Sequence, residues 1–281
     1  MSSAITKIGV VAPASRLETD TAVRVTALAR AAFGGRAEIV FHPQCFLSSG
    51  HFAGDDGARA KAFLEFANDE TFAALWFARG GYGSGRIAEQ VLSGLSAAAR
   101  KKIYFGYSDG AFLLAALYRS GFRAAHGPIP HDIRREGGEA AVQRALSFLV
   151  NRAAETLEPS IDGAHPTAAF NLTILSHLIG TPFLPDLSGH VLMLEEVSEH
   201  LYAIDRSMFH IAQVEGIRRA AGIRLGRCSD VPPNDPDFGQ TPEQIVQHWC
   251  KRSGIAYLGR ADIGHDASNK VVPFGRMQDF V

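Results

Sequence analysis

The chain has 281 residues, 46% hydrophobic and 20% charged, with a formal net charge of −1: enough apolar material for one large or two ordinary domains, and no global charge that would favour nucleic acid or an anionic membrane. Cys45, Cys228 and Cys250 are odd in number, far apart and free of C-x-x-C spacing, which argues against a disulfide framework or a cysteine zinc site and fits a reducing compartment. No stretch approaches about 18 continuous apolar residues, and "MSSAITKIGVVAPAS" reads as a first strand rather than a signal peptide, so the expected location is the cytoplasm.

In chain order, "KIGVVAPA" reads as a strand, "DTAVRVTALARAAF" as a helix and "AEIVFHP" as a strand. "DDGARAKAFLEFAND" is helical, and "FAALWFARGGYG" is a strand running into a glycine-rich turn. "GRIAEQVLSGL" is helical, and "KKIYFGYS" is a strand followed at once by a helix. Strands separated by helices of about 10–15 residues predict βαβ units and a parallel sheet, with functional groups gathered in turns beyond the strand C-termini. From about residue 130 a charged stretch, "PHDIRREGGEAAVQRALSFLVNRAAE", reads as helix and "PSIDGAHPTA" as loose linker. Then "HVLMLEEV" reads as a strand and "DRSMFHIAQVEGI" as a helix, while from Gly222 onward short strand candidates alternate with Pro- and Gly-containing loops. The predicted architecture is α/β: a parallel-sheet N-terminal domain over residues 1–140, a linker region over 141–168, and a smaller α+β or β-rich C-terminal domain over 169–281.

Three segments carry candidate chemistry. Gly106-Tyr107-Ser108-Asp109-Gly110 fits the G-x-S-x-G pattern of a nucleophile elbow, although Ser and Asp at a strand-to-helix junction equally suit a helix N-cap. Arg79–Gly85 has the glycines of a phosphate loop but is followed by Arg86 and Ile87, where Lys and Ser or Thr are required, and it fails the dinucleotide pattern at the same Arg86. What survives is a turn with exposed N–H groups, usable as half of an oxyanion hole or simply as a chain reversal. His265 sits in a polar loop between Gly264 and Asp266, a setting for a general base or for a solvated histidine. Glu195 and Glu196 end a strand with opposite facing, so one is expected to look into a cleft and the other to be solvated, unless both are surface charges. Eleven histidines include no H-x-x-x-H pair, so no metal is expected.

Taken together, "APAS", "FAGDDGARAKAFLEFANDETFAALWFARGGYGSGRI", "FGYSDGAFLLAAL" with "HGP", "NLTILSHLIGTPFLPDLSGHVLMLEEVSEHLYAIDR" and "GHDASNKVVPFG" occur in the order seen in the LD-carboxypeptidase family, serine peptidases that include the microcin C immunity peptidases. The resemblance spans nearly the whole chain. It implies a Rossmann-like N-terminal domain, with the active site between the two domains. It also implies Ser108 as nucleophile, Glu195 as the residue orienting the histidine, and His265 as general base and acid. The oxyanion hole falls on the backbone N–H groups of Asp109 and Gly81. The implied reaction releases D-alanine from a murein tetrapeptide during cell-wall recycling. It needs no cofactor, and relatives tend to form homodimers. Arg79 is the candidate partner for the free carboxylate of the leaving residue, or else a clamp on its own turn. Alternatives are a peptidase for aminoacyl-nucleotide antibiotics, for which Trp76 looks too buried to serve as a base-stacking platform, and an α/β-hydrolase-like esterase. The chain departs from the family at Ala169-Phe170-Asn171-Leu172, where Gly-Gly-Asn-Leu is common, so Phe170 is expected either to narrow the cleft or to repack.

Overall fold

The apolar strands of the first half pair as the βαβ reading requires, in a computed structural model that describes residues 5–280. The elements run β1 (Thr6–Val11), α1 (Thr19–Phe33), β2 (Ala37–Phe41), α2 (Asp56–Asn68), β3 (Ala74–Phe77), α3 (Ala88–Gly94), β4 (Ile103–Gly106), α4 (Ala111–Arg119), β5 (Arg123–His126) and α5 (Gly138–Asn151). Strands β1–β5 are all parallel, in the order β5-β4-β3-β1-β2. Every residue of β3 and β4 is buried, as expected for a parallel sheet covered on both faces. Ala74 and Trp76 face the cluster formed with Val25 and Ala29 of α1 and Leu146 and Leu149 of α5. Leu75 and Phe77 face the other side, with Phe63 of α2, Val91 of α3 and Leu114 of α4.

The second half repeats the logic around a four-stranded, wholly parallel sheet: β6 (Thr167–Asn171), α6 (Leu172–Leu178), β7 (Val191–Val197), α7 (Leu201–Ile211), α8 (Glu215–Arg218), β8 (Gly222–Ser229), α9 (Pro242–Ser253) and β9 (Tyr257–Arg260). This half is thus itself layered α/β rather than β-rich. Helix α9 lies where the sequence reading saw only short strands and loops, although "TPEQ" carries the capping box that starts it: Thr241 Oγ accepts from Gln244 N, and the Gln244 side chain accepts from Thr241 N. The stretch from residue 130 is a 3₁₀ turn, Pro130–Arg134, before α5; Gly137 at φ 69° breaks what the composition presents as one helix.

The two halves share one core. The cluster containing Phe63, Phe77 and Leu114 continues through Phe170, Leu175, Leu194 and Met208. After β9 the chain crosses back: β10 (Val272–Pro273) pairs antiparallel with β5, opposite Ala125 and His126. The loop joining β9 to β10, which contains His265, is therefore strung between the two sheets. Phe170 is fully buried, with its ring 5.1 Å from that of Phe274, so the departure from the family pattern repacks the core and leaves the cleft alone.

Candidate active site

Strand β4 ends at Gly106, and the chain must turn at once to enter α4. Ser108 makes the turn at φ 59°, a left-handed conformation that costs a residue with a Cβ roughly 1–2 kcal/mol. Glycine flanks are required for close approach: a Cβ on Gly106 or Gly110 would lie 2.9 or 2.8 Å from Phe77 side-chain atoms. The N-cap alternative fails, since the Ser108 hydroxyl bonds across the molecule to His265 Nε2 at 3.0 Å rather than to the first turn of the helix.

His265 in turn bonds through Nδ1 to Glu195 Oε2 at 2.7 Å. Glu195, in β7, is fully buried, and its Oε1 has no donor among the described residues. The loop holding His265 packs closely on β7 and β8: a Cβ on Gly226 would sit 2.8 Å from Glu195 Cβ and 2.7 Å from Ile263 O. Arg227 of β8 grips the same loop through Asp262 and Asp266. Burial disfavours the charged imidazole, but the charge and hydrogen bond of Glu195, with the charge of Asp132, outweigh it and raise His265 above the usual histidine value. Hydroxyl, imidazole and carboxylate, 157 and 70 positions apart along the chain, thus lie in one hydrogen-bonded line.

The glycine-rich turn, residues 80–85, lies against this line. A Cβ on Gly80 would come 2.8 Å from Ser108 Oγ, so only glycine leaves the hydroxyl free. Gly81, at φ 106°, has an N–H with no acceptor among the described residues. Asp109 ties the two turns together: its carboxylate accepts from Gly83 N at 3.2 Å and Ser84 N at 2.8 Å, while Ser84 Oγ donates to the Asp109 carbonyl. Arg59, buried in α2, ties the glycine-rich turn to the loop after β1 by donating to Gly83 O at 2.8 Å and to Pro13 O. Sequence reasoning gave Asp109 a backbone role only, and it missed Gly80 and Arg59.

Other expectations fare differently. Glu196 is not solvated: it is buried on the opposite face of β7 and accepts from Thr173 N at 2.7 Å and Val197 N at 3.0 Å, capping the first turn of α6. Both faces of a central parallel strand are covered, so a carboxylate there must find donors. Arg79 donates to Arg16 O at 3.2 Å and has no carboxylate partner among the described residues. Trp76 is fully buried, its Nε1 donating to Pro128 O at 2.9 Å, and offers no stacking face. No group of three or more His, Cys, Asp or Glu side chains able to hold a metal occurs among the described residues.

The comparisons with known proteins agree in order and extent. Residues 8–127 match the LD-carboxypeptidase N-terminal domain and residues 167–279 the LD-carboxypeptidase C-terminal domain. The chain belongs to the LD-carboxypeptidase family. It is 29% identical over 239 residues to a probable murein peptide carboxypeptidase of Bacillus subtilis, covering 80% of this chain and 74% of that one. It is 27% identical over 223 residues to a murein tetrapeptide carboxypeptidase of Pseudomonas aeruginosa, covering 72% and 70%. Among solved structures, a muramoyltetrapeptide carboxypeptidase from Oxalobacter formigenes superposes with a TM-score of 0.79 at 21% identity, covering 96% of this chain and 93% of that one. The microcin-related protein MccF, in complex with glutamyl sulfamoyl guanosine, superposes with a TM-score of 0.77 at 16% identity, covering 96% and 91%. As an LD-carboxypeptidase family member the protein is a serine-type peptidase, and its two separate sheets depart from the single large domain expected of an α/β-hydrolase-like esterase.

Proposed function

We propose that this LD-carboxypeptidase hydrolyses the amide between an L-configured centre and the terminal D-alanine of a murein tetrapeptide, with Ser108, His265 and Glu195 as its catalytic residues. The observation that carries the reading is the continuous line Glu195 Oε2–His265 Nδ1, His265 Nε2–Ser108 Oγ, at 2.7 and 3.0 Å. His265 takes the proton of Ser108 as Oγ attacks the carbonyl carbon. It then gives that proton to the leaving amine, and a water molecule repeats the cycle on the acyl-enzyme. Glu195 holds the imidazole with Nδ1 protonated and offsets its positive charge. The N–H groups of Gly81 and Asp109 receive the developing oxyanion. Arg79, a cation without a carboxylate partner among the described residues, is the candidate for the carboxylate of the departing D-alanine.

The substrate class follows the two named murein peptide carboxypeptidases, each matched over most of its length. The cytoplasmic site of action and the homodimer are part of the same proposal. Three unpaired thiols, at Cys45, Cys228 and Cys250, suit a reducing compartment, and no helix among the described residues is long and apolar enough to cross a membrane. The purified protein is expected to release D-alanine from a murein tetrapeptide, with Ser108→Ala lowering turnover by about a millionfold. A wild-type protein that instead cleaves only aminoacyl sulfamoyl nucleotides would transfer the reading to the microcin-type branch of the family.

A further inference from the structure

His265 belongs to the loop before β10, yet much of what holds that loop comes from the nucleophile's half of the chain. Arg135 Nη1 donates to the carbonyl of His265 itself at 2.5 Å. Arg144 of α5 donates to the carbonyls of Ala267 and Asn269 at 2.9 Å each. His126, at the end of β5, bonds to Asn269 Oδ1 at 3.0 Å, and the same oxygen accepts from Gly264 N at 3.2 Å. Behind Arg135 stands Asp132, only 1% exposed, whose carboxylate accepts from Ile129 N at 2.9 Å, Arg135 Nε at 2.9 Å and Tyr107 Oη at 2.8 Å. Tyr107 immediately precedes the nucleophile, and its ring centroid lies 4.8 Å from that of His265. Asp132 is thus joined to both partners of the proton transfer, to Ser108 through the Tyr107 backbone and to His265 through Arg135.

We propose that Asp132 and Arg135 are positioning residues for the reaction: anchored on the nucleophile's lobe, they fix the imidazole of His265 in register with Ser108, independently of the sheet that supplies Glu195. The inference rests on the reading of Ser108 and His265 as nucleophile and base. The arrangement has a reason: hydrolysis needs the 3.0 Å contact to persist while substrate enters a seam between two sheets, and an error of about 1 Å in such a contact costs on the order of a hundredfold in rate. A buried carboxylate with three donors is a rigid anchor, since breaking any one bond strands a desolvated group.

The electrostatics of the site supply a readout that simple bracing would not produce. The groups facing His265 are Glu195 from β7, Tyr107 and Ser108 from the elbow, His126 from β5, Asp132 from the 3₁₀ turn and Arg135 just after it, and Asp266 of its own loop, which is engaged by Arg227 of β8. Burial, opposed by the charge of Glu195 and the bond to Asn269, pushes His126 down to about 4, so it stays neutral through the working range. Asp132 is one of the negative charges that raise His265, against the opposing charge of Arg135.

The test is the rate at which a fluorophosphonate labels Ser108, followed against pH. The serine oxygen attacks phosphorus, fluoride leaves, and His265 takes the proton, so the rate reports the activated pair whatever the natural substrate. Asp132→Asn is expected to move the acid limb of the profile to lower pH, since it removes one of the charges that raise His265. Arg135→Met is expected to lower the high-pH plateau at least about tenfold, with Arg135→Lys recovering part of it. Arg134→Met, which removes the contacts of Arg134 Nη1 with Asp20 and Thr21 of α1, is the control and should label as wild type does. An unmoved acid limb in Asp132→Asn, or a wild-type plateau in Arg135→Met, would overturn the proposal. Failure of the wild-type protein to label at Ser108 would overturn the catalytic reading and this inference with it, whereas labelling without D-alanine release would remove only the substrate assignment.

Discussion

The turn that carries Ser108 and the loop that carries His265 meet at 3.0 Å, but they are held by different means. The serine's turn is local: a strand, one residue in a left-handed conformation and a helix, locked to the neighbouring glycine-rich turn by Asp109. The histidine's loop has little regular structure of its own and is suspended by side chains from both lobes, among them Glu195, Arg227, Arg135, Arg144 and His126. A nucleophile can be aimed by backbone strain stored in a few residues. A base that must reach across a seam can be aimed only by contacts distant in sequence, each sensitive to its partner's removal.

That contrast can be broken most forcefully on the histidine side. Glu195→Gln is expected to reduce turnover about 10⁴-fold while the protein stays folded, because the amide cannot hold the imidazole tautomer or offset its charge. The pH dependence should change as well. His265 must be neutral to accept the Ser108 proton, so kcat/KM of the wild type rises with pH through a value above the ordinary 6.5, and the substitution moves that limb down. The same raised value means that the charged imidazole contributes stability below the unfolded-state pKa and that this contribution is lost as pH climbs through the folded-state one. A limb that stays in place in kcat/KM measurements would deny Glu195 its electrostatic part.

On the serine side, Asp109→Asn is expected to lower kcat roughly 100- to 1000-fold with little change in KM. A carboxamide must turn its NH₂ toward the Gly83 or Ser84 N–H and so loosen the spacing of the two oxyanion donors. Equal loss in kcat for substrate and unchanged binding of a tetrahedral boronate analogue would contradict that account. The smallest effect is one of stability alone. Ser108→Gly and Ser108→Ala should both be inactive, but the glycine variant should unfold at higher denaturant, by about 1 kcal/mol, since only the alanine keeps a Cβ at φ 59°. Identical midpoints in urea titrations would mean that the turn stores no strain.

Much of this design is legible along the chain, and the illegible parts share a cause. The strands of the first sheet stand out because a parallel sheet covered on both faces demands continuous apolar runs such as Ala74–Phe77 and Ile103–Gly106. The elbow stands out because glycine is needed on both sides of Ser108, and helix α9 could have been found from its Thr241 and Gln244 capping pair. Glu196 was misplaced because alternation along a strand says which face a side chain takes, not whether that face is covered. Asp132 and Arg135 were hidden inside a charged stretch that reads as one helix, since a single glycine at position 137 decides otherwise.

The sequence by itself determined the alternation of strands and helices, the sharp turn at Ser108, the family pattern and the candidates for the groups that handle a proton. These depend on short-range sterics and on periodic apolar spacing, which the order of residues encodes directly. Only the tertiary structure decided that β10 crosses back to the first sheet, that Asp109 and Asp132 hold the residues on either side of Ser108 in the chain, and that His265 stands within reach of both Ser108 and Glu195. Those outcomes depend on contacts between residues as much as 157 positions apart, whose free energy exists only once the two lobes have closed a common core.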